Sequence, residues 1–349
     1  MAIQDKDYEE SVMREFAGGT EGAGETPAHE PVTDLGKVDL GRHKREQKQR
    51  IAEDEGMQRM AALVDFHTLD LTSLFTKGRF YPQTLTASIR ACRVNEVREF
   101  SGVDETNPND VLDKLSYIIS SCTRVYNGDI PGSYKDLLDH DRLSILFAIR
   151  ELTFKNGETM IRIPVPAGAC KTPGCKPQTE VILTRDMFES AEPSKRLEKY
   201  FVPGVGYQIQ TKTMGEILLA PPTIGVANAV REWAIERENN QQRWDSNVAQ
   251  MLPFMIKEWR GLTKEKIFEL ATEVAGWSIE KYSFVYRLIE ELNASVGMSP
   301  VIHTTCDSCG GEIEVPVQFH HIDEVTGKVN AGIRDLFVPN LSDFADELL

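Results

Sequence analysis

The stretch Cys306-Asp307-Ser308-Cys309-Gly310-Gly311 decides how this chain folds. It lies between two strand-like runs, 301–305 and 312–319, so its cysteines fall at the tip of an expected hairpin. A short turn lets two sulfurs point at one spot while backbone amides face them, and Gly310-Gly311 supplies the backbone freedom that the turn needs. Upstream, Cys170-Lys171-Thr172-Pro173-Gly174-Cys175 has the same setting, with 160–165 leading in and 179–184 leading out. Its Cys-x4-Cys spacing is wider than a usual knuckle. Two hairpin tips that each give two thiolates are the local grammar of a zinc ribbon, because zinc takes four soft ligands in a tetrahedron at about 2.3 Å. Neither half closes a tetrahedron alone. We therefore expect Cys170, Cys175, Cys306 and Cys309 to meet across a long helical insertion and to hold one structural zinc per chain.

Two other readings of the cysteines stay open on the sequence. Cys306 and Cys309 could be a redox pair, although a thioredoxin-type motif opens a helix and here a glycine pair and a strand follow. A knuckle could also keep its shape without a metal. His303, His320 and His321 stand near enough to substitute for a cysteine, and each reads first as a surface or packed histidine. Cys92 and Cys122 stand apart among apolar neighbours.

The totals narrow the function classes. The chain has 349 residues and 41% hydrophobic residues, enough for two or three domains with a substantial core. Its formal net charge of −15 disfavours nucleic acid and anionic lipid as main ligands. No run of about 18 to 20 apolar residues predicts a membrane-spanning helix. The start, Met1-Ala2-Ile3-Gln4-Asp5, has no basic and apolar signal pattern. Six cysteines are too few for a disulfide scaffold, which fits a reducing cytoplasm.

Five segments are expected. Residues 1–60 form a disordered acidic arm, rich in Glu, Gly, Thr and Pro, followed by the basic helix-former run Arg42 to Arg50. Residues 61–165 form an N-terminal α+β domain. In it Arg79-Phe80-Tyr81-Pro82 and Leu85, Ala87 and Ile89 suggest a strand. Asn107-Pro108-Asn109-Asp110 caps a helix carrying Val111, Leu115, Ile118, Ile119 and Cys122, with Cys122 in the core. Asp139 or Asp141 starts a second helix through Ile149-Arg150, and Asn156-Gly157 marks a hairpin turn. Residues 166–220 are a strand region with the first knuckle, and 207–211 with 216–219 form a hairpin through Met214-Gly215. Residues 221–298 are the helical insertion. There Val248, Met251, Leu252, Met255, Ile256 and Trp259 share a face that Pro253 could kink. Thr263 and Ser278 cap two further helices. Residues 299–349 return to strands with the second knuckle. Trp233, Trp244, Trp259 and Trp277 read as core first and binding anchors second. The fold class is α+β: a mixed helical and sheet domain, a zinc-ribbon-like strand region and a helical insertion.

No Gly-Lys-Ser/Thr loop, no Gly-x-Ser-x-Gly elbow and no His-Glu-x-x-His is present. A zinc held by four cysteines keeps no open position for a substrate. An enzyme is therefore not expected.

Several of these pieces together resemble a known family. They are the Phe80-Tyr81-Pro82 entry, Ile89-Arg90-Ala91-Cys92-Arg93-Val94-Asn95-Glu96-Val97-Arg98-Glu99, the Val111 to Cys122 helix, Asp139-His140-Asp141-Arg142-Leu143 with Ile149-Arg150-Glu151, and the Cys306-x-x-Cys309-Gly310 knuckle. The chain resembles the baseplate hub and hub-assembly proteins of T-even-type contractile-tailed phages, over roughly 66–345. The resemblance implies a structural or assembly role, as virion subunit or chaperone, through contacts with other tail and baseplate proteins. It implies residence in the host cytoplasm during assembly or in the virion tail baseplate, where an oligomer is compatible. The competing reading is a zinc-ribbon nucleic-acid-associated factor using Arg42 to Arg50 on phosphate.

Overall fold

The alternation of Leu85, Ala87 and Ile89 puts one face of a strand into the core, and this is the strand around which the first part of the chain folds. Residues 66–104, 107–154, 161–166, 168–178, 180–317, 321–322, 329–330 and 336–337 are described by a computed structural model. Strand β1 (His67–Leu69), β2 (Leu85–Ile89), β3 (Thr123–Asn127) and β4 (Ile130–Pro131) form an antiparallel sheet in that order. Ile89 pairs with Thr123 and Leu85 with Asn127, so the buried face of β2 continues through Val125 of β3. Residues 79–82 lie in turns rather than in the strand. Pro82 starts that departure, since it has no amide to donate to a ladder. Its carbonyl accepts from Leu85 N at 2.9 Å.

Helix α1 (Val94–Ser101) and α2 (Pro108–Cys122) connect β2 to β3. Asn107 caps α2 by accepting from the amides of Asn109 and Asp110, and Pro108 occupies the first turn. Its apolar stripe, Val111, Leu115, Ile118, Ile119 and Cys122, is buried. A fully buried Ile such as Ile118 stabilises the fold by roughly 1.5–3 kcal/mol. Helix α3 (Arg142–Thr153) follows, and every residue from Ser144 to Arg150 is buried. A helix covered all round has no amphipathic stripe to show in sequence. Asp141 precedes it without capping it; its carboxylate instead accepts from Thr76 N at 2.9 Å, Thr76 Oγ1 at 2.6 Å and Tyr81 OH at 2.9 Å.

Beyond α3 the strands pair locally. Strand β5 (Ile161–Pro164) pairs with β6 (Glu180–Leu183). Strands β7 (Phe201–Val202), β8 (Gly206–Gln210) and β9 (Glu216–Leu219) form a three-stranded antiparallel sheet whose turn uses Gly215 at φ +80°. The helices α4 (Ile224–Asn239), α5 (Ser246–Met255), α6 (Lys264–Ala275) and α7 (Ile279–Ser295) come next. Thr263 and Ser278 cap α6 and α7 as their sequence positions suggest. Helix α5 ends at Met255, two residues after Pro253. Trp259 therefore leaves the face of Val248, Met251 and Leu252, and its indole Nε1 donates to Asp136 Oδ1 at 2.7 Å. Trp233 is buried and Trp244, Trp259 and Trp277 are half-buried, which favours the core reading. Strands β10 (Val301–Thr305) and β11 (Glu312–Pro316) form the last long hairpin, and β12 (His321–Ile322) pairs with β13 (Val329–Asn330). Leu336 and Phe337 return to the core, where Phe337 meets Phe100 edge-on at 5.1 Å.

The described chain is thus a mixed α+β fold of seven helices and several small antiparallel sheets. The expected acidic arm, the basic run Arg42 to Arg50, the Asn156-Gly157 turn and His320 lie outside the described residues. Among the described residues no helix is long and apolar enough to cross a membrane.

Candidate metal centre

Two hairpins bring the four cysteines together. Strands β5 and β6 carry the loop with Cys170 and Cys175, while β10 and β11 carry Cys306 and Cys309. The second turn closes as its glycines allow. Cys306 N donates to Gly311 O at 2.7 Å and Gly310 N to Cys306 O at 2.7 Å, with Gly310 at φ +70°. Gly311 is needed for another reason: a Cβ there would come within 2.9 Å of Thr172 Oγ1 and 3.3 Å of Cys309 Sγ. In the first loop Cys175 N donates to Thr172 O at 3.1 Å.

The halves are joined by more than their sulfurs. Cys170 forms an isolated antiparallel bridge with Ile313 on β11. Lys171 Nζ pairs with Glu314 Oε1 at 2.8 Å. Gln178 accepts from Asp307 N at 3.1 Å and donates to Thr305 O at 3.4 Å, while Ser308 Oγ donates to Lys176 O at 2.8 Å. These polar partners left no distinct mark in the sequence; only their closeness to the cysteines could have pointed to them.

All four sulfurs lie within 4.8 Å of one another. Cys170 Sγ is 3.5 Å from Cys309 Sγ, and Cys175 Sγ is 3.7 Å from Cys306 Sγ. A regular tetrahedron with 2.3 Å metal–sulfur bonds has edges of about 3.8 Å, so these two edges are within a few tenths of an ångström of it. Cys306 is 1% exposed and Cys170 9%, whereas Cys175 is half-buried and Cys309 exposed. The cluster can therefore hold a metal ion, with two ligands rooted in the core and one open to solvent. The shortest sulfur contacts run across the knuckles, which opposes a redox pair made of Cys306 and Cys309 alone.

The surroundings favour negative sulfur. The Thr172 hydroxyl, 3.5 Å away, and then the Gly311 amide, 3.4 Å away, hold the Cys309 thiol down to about 6. Hydrogen bonding to Cys309 pushes the Cys175 thiol well above its ordinary value. The first proton thus leaves Cys309, and a cation is what would bring off the rest. His303 is exposed on β10, with Nδ1 3.4 Å from Glu312 Oε1, and is not in the cluster.

Comparison of the chain with protein-family models, with curated proteins and with solved structures gives no significant match.

Proposed function

We propose that this protein is a structural or assembly component of a phage tail baseplate, in the hub region, and that it acts through protein–protein contacts on a fold clamped by one zinc ion. The observation that carries the structural half is the four-cysteine cluster, whose donors come from two zinc-ribbon-like hairpins 131 to 139 residues apart in sequence. Four thiolates suit zinc over harder cations, and with all four bound no coordination position stays open for a substrate. The ion on this reading is a staple, and the protein works by contact rather than catalysis. The baseplate assignment is supported by the resemblance of the segments around Ile89 to Glu99, Val111 to Cys122 and Asp139 to Glu151.

The nucleic-acid alternative gains little from the knuckles. Lys171 is paired with Glu314, and Asp307 and Glu312 flank the same hairpin tips. Such a surface offers phosphate no cluster of unpaired cations.

Mass spectrometry of purified virions beside tail intermediates from the same infected cells tests the assignment. Stoichiometric presence in virions would mark a baseplate subunit. Presence in intermediates alone would mark an assembly chaperone, and absence from both would overturn the reading. Metal analysis of the purified chain should give one zinc, lost on replacing both Cys306 and Cys309 by serine.

A further inference from the structure

A second pair of sulfurs, separate from the four of the candidate metal centre, lies at the end of the first sheet. Cys92 follows β2 in the short connection to α1, and Cys122 is the last residue of α2 before β3. Arg90 N donates to Cys122 O at 2.9 Å, which brings the two segments side by side. The sulfurs stand 3.6 Å apart, Cys122 fully buried and Cys92 half-buried. Glu96 Oε2 lies 3.5 Å from Cys122 Sγ.

Two thiols and a carboxylate in one place suggest a metal, but this carboxylate is committed. Arg90 donates to it through Nη1 at 3.0 Å and Nη2 at 2.5 Å, and Arg93 N donates at 2.7 Å. The guanidinium is itself anchored to the carbonyls of Ala91 and Ser121, both at 2.8 Å. A metal would have to strip Glu96 from a cation that cannot move away. What remains is a dithiol beside a closed Arg90–Glu96 ion pair, with one thiol accessible and the other behind it.

We propose that Cys92 and Cys122 are a thiol modification site that closes to a disulfide by exchange with a low-molecular-weight disulfide. Cys92, as thiolate, attacks one sulfur of glutathione disulfide, forming a mixed disulfide and releasing one glutathione. The Cys122 thiol then attacks the Cys92 sulfur, and its proton goes to the second departing glutathione thiolate. The protein loses two hydrogens and glutathione disulfide gains them. Closure ties the α1 entrance to the end of α2 and rings off residues 92–122.

The test treats the full chain with glutathione disulfide, blocks free thiols, digests with trypsin and reads the peptides by mass. The expected product joins peptides 91–93 and 115–124, and separates on reduction. Cys92→Ser should abolish it while leaving the Cys122 thiol unmodified in the folded protein. Cys122→Ala should stop the reaction at a glutathione adduct on Cys92. A wild-type chain that carries only that adduct, that does not react, or that links Cys92 elsewhere would overturn the proposal. So would a second bound metal ion that Cys92→Ser removes.

Discussion

Asp141 shows what a single buried group does in this fold. Its carboxylate, fully buried, accepts from the Thr76 amide, the Thr76 hydroxyl and the Tyr81 hydroxyl, and Tyr81 in turn accepts from Leu138 N at 3.0 Å. One side chain thus ties the turns before β2 to the start of α3. Asp141→Ala leaves three donors without an acceptor in a place water does not reach. At about 1–3 kcal/mol for each such donor, the loss should be about 3 kcal/mol or more, read as a lower midpoint in urea unfolding. Asp141→Asn keeps one acceptor oxygen and should lose less. The sequence offered Asp141 as a helix start, since an acidic residue before an apolar run is what a cap looks like. Its real partners lie 60 and 65 residues upstream, at a distance that no local pattern records. The meeting of the four cysteines was legible because cysteine is scarce in this chain and these four fall in two close pairs. Which of them ionises first was not, since that depends on Thr172 from the other knuckle. With the Cys309 thiol held down to about 6, thiolate is present above that value and is lost as pH falls through it. Zinc uptake by the metal-free protein should therefore slow as pH drops through about 6 and go on rising with pH above it, because Cys175 still carries a proton that zinc must displace, as a chromophoric zinc indicator would show.

The elements that could be read beforehand are those with one buried face and a clear cap. Helix α2 has both: its stripe and Asn107 were plain in the sequence. Asn107→Ala should therefore cost about 1 kcal/mol, visible in thermal unfolding without any change in metal content. Helix α3 was legible at its start and not in its extent of burial, since a surrounded helix has no polar face to set its period. Helix α1 carries the exposed Val94 and the buried Glu96, which reverses the usual pattern and hides it. The end of α5 shows a different limit. The apolar spacing continues to Trp259, but the helix stops at Met255 and the indole crosses to α4, where a Cβ on Gly225 would overlap it. Gly225→Ala should destabilise by about 1–3 kcal/mol through overpacking, although alanine is the better helix former. Substituting Trp259 by Leu in the same chain should relieve part of that loss, a coupling that a double-mutant cycle would measure.

At the scale of the whole molecule the four-cysteine cluster brings together two hairpins whose cysteines lie 131 to 139 residues apart. Each is a two-stranded sheet, and an isolated hairpin is marginal in water. The polar contacts between them are the bridge at Cys170 and Ile313, a few hydrogen bonds, and the Lys171–Glu314 pair, which is exposed and screened by solvent. Without an ion the cluster has only these contacts and a mostly protonated set of sulfurs to keep the hairpins together. Cys170 and Cys306 belong to the same continuous core as the buried residues of α2 and α3, but neither helix gives the cluster a ligand. If the cluster holds zinc as proposed, chelating that ion should unfold the molecule in parts. The two hairpins should open first, making the Lys171–Thr172 bond cleavable by trypsin, while the amides of 115–122 and 145–149 keep their protection from hydrogen exchange. Cys306 and Cys309 both replaced by serine should reproduce the chelated pattern with no further response to chelator. If exchange protection fell evenly across hairpins and helices, the ion would be holding the whole core together instead of stapling one edge of it.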